Sequence, residues 1–103
     1  MKFTWSDGWN LGDLCTEVTA ADNYTLATEE KKPFVSCAFS AASKALTLGL
    51  EVGDVMLVSN VGGTNAVTVK AIEGDTGTSL AAGKVAICIG AAAANASKIY
   101  VLN

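Results

Sequence analysis

The chain contains no histidine and no arginine among its 103 residues. Histidine is the usual general acid or base near neutral pH and the commonest metal ligand, so its absence removes the simplest catalytic and metal-binding arrangements. Arginine is the side chain best suited to phosphate and guanine, because its planar guanidinium donates two parallel hydrogen bonds. Together with a formal net charge of −3, these two absences argue against a nucleic-acid partner.

Charged residues are also scarce. They make up 17% of the chain, whereas 50% of the residues are hydrophobic, and an ordinary soluble domain has about 25% charged residues. Few charges therefore remain to cover the outside of a domain of this size. Our hypothesis is that another protein covers part of the surface.

Long apolar segments are missing as well. No run of 18 apolar residues exists, which predicts no transmembrane helix and no membrane partner. Residues 1–7 include one basic residue with no apolar segment behind it, so we do not expect a signal peptide. The three cysteines, Cys15, Cys37 and Cys88, form no Cys-x-x-Cys pair, and an odd number cannot close completely into internal disulfides. We expect free thiols and synthesis in a reducing cytosol.

The sequence does contain a series of short β-strand patterns separated by turn residues. Turn signals recur at roughly 8–12 residues, the spacing typical of a β-sandwich or barrel. The predicted strands are residues 15–19, 24–26, 34–39, 45–48, 54–59, 66–72, 85–89 and 99–102. The predicted fold is all-β, a single compact antiparallel β-sandwich or barrel over residues 14–103, preceded by an irregular arm at residues 1–13.

The second half of the chain gives the clearest strand patterns. Residues 61–65 (VGGTN) stand between two predicted strands and are typical of a hairpin turn. In the strand that follows, alternation predicts that Val67, Val69 and Ala71 point inward.

One late strand has two apolar faces of different size. Val85, Ile87 and Ile89 form a stripe of large residues, and the small Ala86 and Cys88 lie on the opposite face. Both faces of this strand are therefore apolar.

The arm at residues 1–13 carries large apolar side chains in a segment broken by Gly, Asp and Asn. These are Phe3, Trp5, Trp9 and Leu11. Side chains of this kind need a surface on which to bury their apolar area. Three surfaces are open: the core of the same chain, a neighbouring subunit, since interface hot spots are rich in Trp, or a sugar ring stacked on the aromatics. We predict that the four arm residues bind a partner.

No residue pattern supports catalysis. Glu29 and Glu30 are followed by two lysines and fit a solvated loop, whereas an acid–base pair needs one carboxyl group in an apolar pocket. Serine and threonine lack a histidine to activate them. Cys37 and Cys88 lie within apolar strands, which favours buried packing over nucleophilic reactivity. We therefore predict no enzymatic activity, no metal and no cofactor.

Several segments, in this order, resemble the small β-modules of tailed-phage virions, which include head-decoration proteins, head fibres and parts of tail fibres. The resemblance covers residues 17–103. It is carried by residues 18–22 (VTAAD), 46–48 (LTL), 52–55 (VGDV), 60–69 (NVGGTNAVTV), 79–86 (SLAAGKVA) and 99–102 (IYVL). The resemblance implies a sandwich-like β fold that is often trimeric and has no cofactor.

From this resemblance we expect a capsid decoration, or cement, protein that stabilises a tailed-phage head as a homotrimer bound to the major capsid protein. Its location would be the virion surface, on the capsid exterior, after synthesis in the host cytoplasm. One module beginning at Met1 accounts for the sequence, whereas a receptor-binding tip more often ends a longer chain. The alternative is a host-recognition fibre module that binds carbohydrate through the arm or through residues 22–33 and 90–97.

Overall fold

The structure is a computed structural model that describes residues 14–102. The arm at residues 1–13 therefore lies outside the described residues. Within the described range the regular structure is β-strand with one short 3-10 turn, Thr28–Glu30, and contains no α-helix. The strands are β1 (Cys15–Ala20), β2 (Tyr24–Thr25), β3 (Phe34–Phe39), β4 (Lys44–Thr47), β5 (Val55–Ser59), β6 (Val67–Lys70), β7 (Thr78–Leu80), β8 (Val85–Ile89) and β9 (Lys98–Leu102).

The strands form two mixed sheets. One sheet has five strands in the order β1-β3-β5-β8-β9, and the other has four in the order β2-β4-β6-β7. Each sheet keeps two edge strands, so the described residues do not close into a barrel. The all-β prediction is confirmed, and the barrel alternative is wrong.

The prediction of an antiparallel fold is wrong for the first half of the chain. The pairs β1–β3, β3–β5, β2–β4 and β4–β6 are parallel, whereas β5–β8, β8–β9 and β6–β7 are antiparallel. The reason is that the first six strands alternate between the two sheets. Parallel neighbours require a crossover connection, and here each crossover contains a strand of the opposite sheet.

The predicted hairpin at residues 61–65 is wrong for the same reason. The strands on either side of this turn, β5 and β6, belong to different sheets. The turn therefore carries the chain from one sheet to the other, and β5 pairs with β8 instead.

Both sheets bury one face in a common hydrophobic core. The predicted inward positions Val67, Val69 and Ala71 are confirmed, because each is at most 1% exposed. The large buried side chains include Phe39 from the five-stranded sheet and Leu46 from the four-stranded sheet. Because apolar burial is the main favourable term in folding, each sheet depends on the other for its stability.

A buried asparagine holds the turn that crosses between the sheets. Asn60 follows β5 and is 0% exposed, and its Nδ2 donates hydrogen bonds to the carbonyls of Asn65 (2.9 Å) and Leu80 (3.0 Å). Asn65 in turn donates from Nδ2 to the carbonyl of Phe39 at 2.8 Å. These bonds join the crossover to strands of both sheets.

The Asn60 side chain also explains why one of the two adjacent residues of the turn must be a glycine. A Cβ atom on Gly63 would clash with Oδ1 of Asn60, whereas a Cβ atom on Gly62 would meet nothing within 4 Å. A glycine is therefore required at position 63, where the backbone approaches the Asn60 side chain closely, and is not required at position 62.

We predict that Gly63→Ala lowers the free energy of unfolding by about 1–3 kcal/mol, the usual cost of overpacking a tight site. Gly62→Ala is the matched control and should be neutral or raise stability by about 0.4–1 kcal/mol, because it restricts the unfolded chain alone. Urea unfolding of the two variants measures the difference. Equal stability of the two variants would contradict the described packing around Asn60.

Candidate functional site

The outer face of the five-stranded sheet is apolar. The strand register aligns one residue from each of the five strands in a single row. In sheet order that row is Cys15, Phe34, Leu57, Ile87 and Tyr100. We call this surface the apolar face; it also includes the flanking residues Val55, Val85, Ile89 and Leu102, which alternate with inward-facing positions on the same strands.

Side chains on the apolar face are accessible in the described residues. Tyr100 is 53% exposed, Val55 is 60% exposed and Phe34 is 38% exposed. Leu57 and Ile87, in the middle of the sheet, are half-buried by their neighbours. Contiguous exposed apolar surface of this kind marks interaction sites in soluble proteins.

The amino-acid sequences of β5 and β8 account for the centre of the apolar face. Each strand is apolar at nearly every position, with the sequences VMLVS and VAICI, so both faces of the sheet are apolar where these strands lie. Strands that are apolar on both sides are usually covered on both sides. Here the four-stranded sheet covers only one side.

The predicted alternation in β8 is confirmed, and the small residues are the buried ones. Ala86 and Cys88 are 0% exposed and face the core. The larger Val85, Ile87 and Ile89 belong to the apolar face and are half-buried. The strand therefore places its larger side chains outside the shared core.

The outer face of the four-stranded sheet is quite different. Its central row consists of Ala45, Thr68 and Ser79, which pair across β4, β6 and β7. Lys70 lies on the same side of β6, two residues from Thr68. One outer surface of the domain is thus small and polar, and the other is large and apolar.

Charges occur only at the margins of the apolar face. Glu17 lies on β1, one edge of the sheet, and Lys98 lies on β9, the opposite edge. Between these edges the register rows contain apolar residues and the two serines Ser36 and Ser59. This arrangement of an apolar centre with a polar rim is the usual anatomy of a protein interface.

The four predicted arm residues, Phe3, Trp5, Trp9 and Leu11, lie outside the described residues. Their connection to the face is nevertheless defined, because the chain enters β1 at Cys15. Cys15 is exposed and occupies the β1 end of the central row. The arm therefore joins the domain at the edge of the apolar face.

The three cysteines have different environments. Cys37 and Cys88 are buried in the core, as predicted, whereas Cys15 is exposed. Burial raises the pKa of the Cys37 thiol from 9.0 to about 11 and that of Cys88 to about 12. A thiol with so high a pKa is protonated at neutral pH and is a poor nucleophile.

Of the two adjacent acids at residues 29 and 30, Glu30 has a structural role. Glu29 is exposed, as the solvated-loop prediction requires. Glu30 accepts hydrogen bonds from the Tyr24 hydroxyl (2.6 Å) and from the backbone N–H of Ala27 (2.8 Å). The Tyr24 bond, then the Ala27 bond, hold the pKa of Glu30 below its usual value.

Asp75 is a buried carboxylate that the sequence analysis did not single out. It is 6% exposed, and its Oδ2 accepts hydrogen bonds from the backbone N–H groups of Ala71 (3.1 Å) and Ile72 (3.2 Å). Its Oδ1 accepts from the N–H of Asn95 at 2.6 Å. Asp75 therefore ties the turn after β6 to the loop before β9, and no carboxylate partner accompanies it in these bonds.

Within residues 14–102 no three His, Cys, Asp or Glu residues lie close enough to hold a metal ion. None of the helical structure described there has the length and apolarity needed to cross a membrane.

Comparisons of the chain with protein-family models, with curated proteins and with solved structures give no match. The apolar face therefore stands as the candidate functional site on its geometry alone.

We predict that Cys15 is the one cysteine among the three that reacts with a maleimide in the folded chain at pH 8. Cys37 and Cys88 should react only after unfolding in guanidinium chloride, because they are buried and protonated in the folded state. Mass spectrometry before and after unfolding counts the labelled thiols. Labelling of Cys88 in the folded chain would contradict the described core.

Stability should also fall at alkaline pH. The folded-state pKa values of Cys37 and Cys88 lie above the ordinary value of 9.0, so above about pH 9 the unfolded state releases protons that the folded state keeps. Each thiol then lowers the free energy of unfolding by up to about 1.4 kcal/mol per pH unit until its folded pKa is reached. Urea unfolding at pH 8 and pH 10 measures this slope. Cys88→Ala should reduce the slope, because it removes one of the two buried thiols.

Proposed function

We propose that this protein is a non-enzymatic structural protein that decorates the head of a tailed phage, and that the apolar face is its main contact surface. The observation that carries the proposal is the apolar face itself, with an apolar centre and charges confined to its edges. A surface of this kind is costly to leave in water. It suits a protein whose work is to bind other proteins.

The chain's resemblance to small β-modules of tailed-phage virions supplies the biological setting of the proposal. We propose that the two sheets pack as a β-sandwich of the kind found in those modules. The modules are often trimers, and a chain with 17% charged residues can bury part of its flanks between subunits. Such contacts gain about 25 cal/mol per Å² of apolar surface before the cost of association is subtracted.

The proposal divides the molecule into three surfaces with different tasks. The flanks of the domain associate into a homotrimer, and the apolar face with the adjacent arm contacts the major capsid protein. The small polar surface around Thr68 remains in water. The roles of the apolar face and of the polar surface follow from their polarity in the described residues, and the trimer comes from the resemblance to the phage modules.

The alternative, a fibre module that binds host carbohydrate, receives less support from the described surface. A sugar site needs aromatic rings beside convergent polar groups. The depression at residues 42–44 and 66–68 is lined by Ala, Ser, Lys, Val and Thr side chains, which offer no ring for stacking. The arm tryptophans, which lie outside the described residues, and the loops at residues 22–33 and 90–97 remain the candidates for this role.

We predict that the purified chain is a trimer in solution. Multi-angle light scattering across a dilution series should give three times the chain mass at concentrations where the trimer is stable. A mass equal to one chain at all concentrations would remove the trimer from the proposal.

We further predict that deletion of residues 1–13 leaves a folded β domain with weaker attachment to capsids. The core described above begins at Val18, so circular dichroism should show the same strand content in both chains. Co-sedimentation with heads that lack the decoration protein measures attachment. Equal binding of the full and shortened chains would exclude the arm from attachment, and a glycan-array signal abolished by Trp9→Ala would favour the carbohydrate alternative.

A further inference from the structure

The apolar face needs an occupant whenever the protein is free in solution. The four-stranded sheet covers the other side of the same strands, and no described residue covers this side. Two occupants come from the molecule itself: residues 1–13 of the same chain, or the face of a second copy. Position, length and chemistry distinguish them.

Position favours the arm. The arm ends where β1 begins, at Cys15, and the side chain of Cys15 is the first member of the central row on the apolar face. A segment that leaves β1 at this point starts at the edge of the face. The strand neighbouring β1 is β3, whose Phe34 is the next residue of the row.

Length permits the arm to cross the whole sheet. From β1 to β9 there are four strand-to-strand steps, which span about 19 Å at about 4.8 Å each. Thirteen extended residues reach up to about 43 Å at about 3.3 Å per residue. The arm is therefore long enough to reach Tyr100 on β9 with residues to spare.

Chemistry matches the arm to the face. Phe3 and Trp5 are two residues apart, and so are Trp9 and Leu11. Side chains two residues apart share one side of an extended chain, so each pair presents two large apolar groups in the same direction. Each aromatic ring can bury about 150–250 Å², which fits a surface built from Phe34, Leu57 and Ile87.

Tethering decides between the arm and a second copy. A segment joined to its binding surface by a short connection has an effective concentration in the millimolar range. A second copy at micromolar concentration competes at a disadvantage of about three orders of magnitude for equal contacts. Tethering therefore favours the arm of the same chain over a second copy as the occupant of the face.

We propose that residues 1–13 fold back across the outer face of their own five-stranded sheet and bury Phe3, Trp5, Trp9 and Leu11 against the row from Phe34 to Tyr100. The arm thereby completes the domain as a third layer over the sheet in the free protein. This proposal concerns the isolated chain and is independent of any role on a capsid.

The chain offers a direct test, because its two tryptophans, Trp5 and Trp9, both lie in the arm. Intrinsic tryptophan fluorescence of the full chain therefore reports on the arm alone. The expected emission maximum is shifted to the blue of the guanidinium-unfolded chain, with reduced quenching by acrylamide. Emission equal to that of the unfolded chain, with circular dichroism showing intact strands, would overturn the proposal.

Substitutions on the face identify the surface that the arm covers. Ile87→Lys places a charge in the centre of the apolar face and should shift the emission to the red while the strands remain folded. Tyr100→Lys does the same at a more exposed position, in case Ile87→Lys fails to fold. The matched control is Thr68→Lys, on the outer face of the four-stranded sheet, which should leave the emission unchanged. Unchanged emission in folded Tyr100→Lys would overturn the proposal.

Dilution separates the arm of the same chain from a second copy. If the arm covers its own sheet, the blue-shifted emission persists when light scattering shows that the chain is monomeric. Loss of the blue shift in parallel with dissociation would overturn the proposal and assign the contact to a neighbouring copy. Capsid binding enters none of these readouts, so the outcome does not depend on the proposed function.

Discussion

The hydrophobic core shared by the two sheets is the interaction on which the rest of the structure depends. Because the first six strands alternate between sheets, neither sheet can be completed without the other. Val35 and Val58 of one sheet and Val67 and Val69 of the other are all at most 1% exposed. The parallel pairings, the crossovers and the exposed position of the apolar face all follow from this winding around one core.

Two buried polar side chains hold the connections between strands. Asn60 and Asp75 are both buried, and each accepts or donates hydrogen bonds to backbone groups of segments distant in sequence. Buried polar groups are stabilising when they are paired, since an unpaired group keeps its full desolvation cost. Asp75 accepts hydrogen bonds at both carboxylate oxygens, whereas Asn60 pairs its Nδ2 and has no partner for its buried Oδ1 among the described residues. Apolar burial therefore provides the affinity between the sheets. Asn60 fixes the crossover between β5 and β6, and Asp75 joins the β6–β7 turn of one sheet to the β8–β9 loop of the other.

Sequence alone could predict every strand of the described residues except the short β7, but not the partners of those strands. Alternation located β3, β6 and β8 because burial on one side leaves a two-residue period, whereas a continuous apolar run rich in valine located β5. The same period is compatible with any neighbour, so residues 61–65 were assigned to a hairpin although their strands belong to different sheets. The structural roles of Asn60 and Asp75 also escaped prediction, because their bonding partners, such as Leu80 and Asn95, are 20 residues away.

The sequence could predict that the candidate site is an apolar surface, but it could not predict where on the domain that surface lies. Low charge predicted a covered surface, and continuous apolar residues in β5 and β8 carried the signal for a sheet with two apolar sides. The central row depends on the register of all five strands, which no local pattern specifies. The arm residues were identified from their size, and the start of β1 at Cys15 shows where the arm joins the sheet.

The outer surfaces of the two sheets differ in polarity, so the molecule has two distinguishable sides that determine how it orients on a surface. Thr68, Ser79 and Lys70 on one side are readily wetted, whereas Leu57 and Ile87 on the other are not. A body with one wettable and one non-wettable side adopts a single orientation on any surface that accepts the non-wettable side. If many copies bound to one surface in this way, each would expose the same hydroxyl-rich face to solvent. This would hold for any lateral arrangement of the copies.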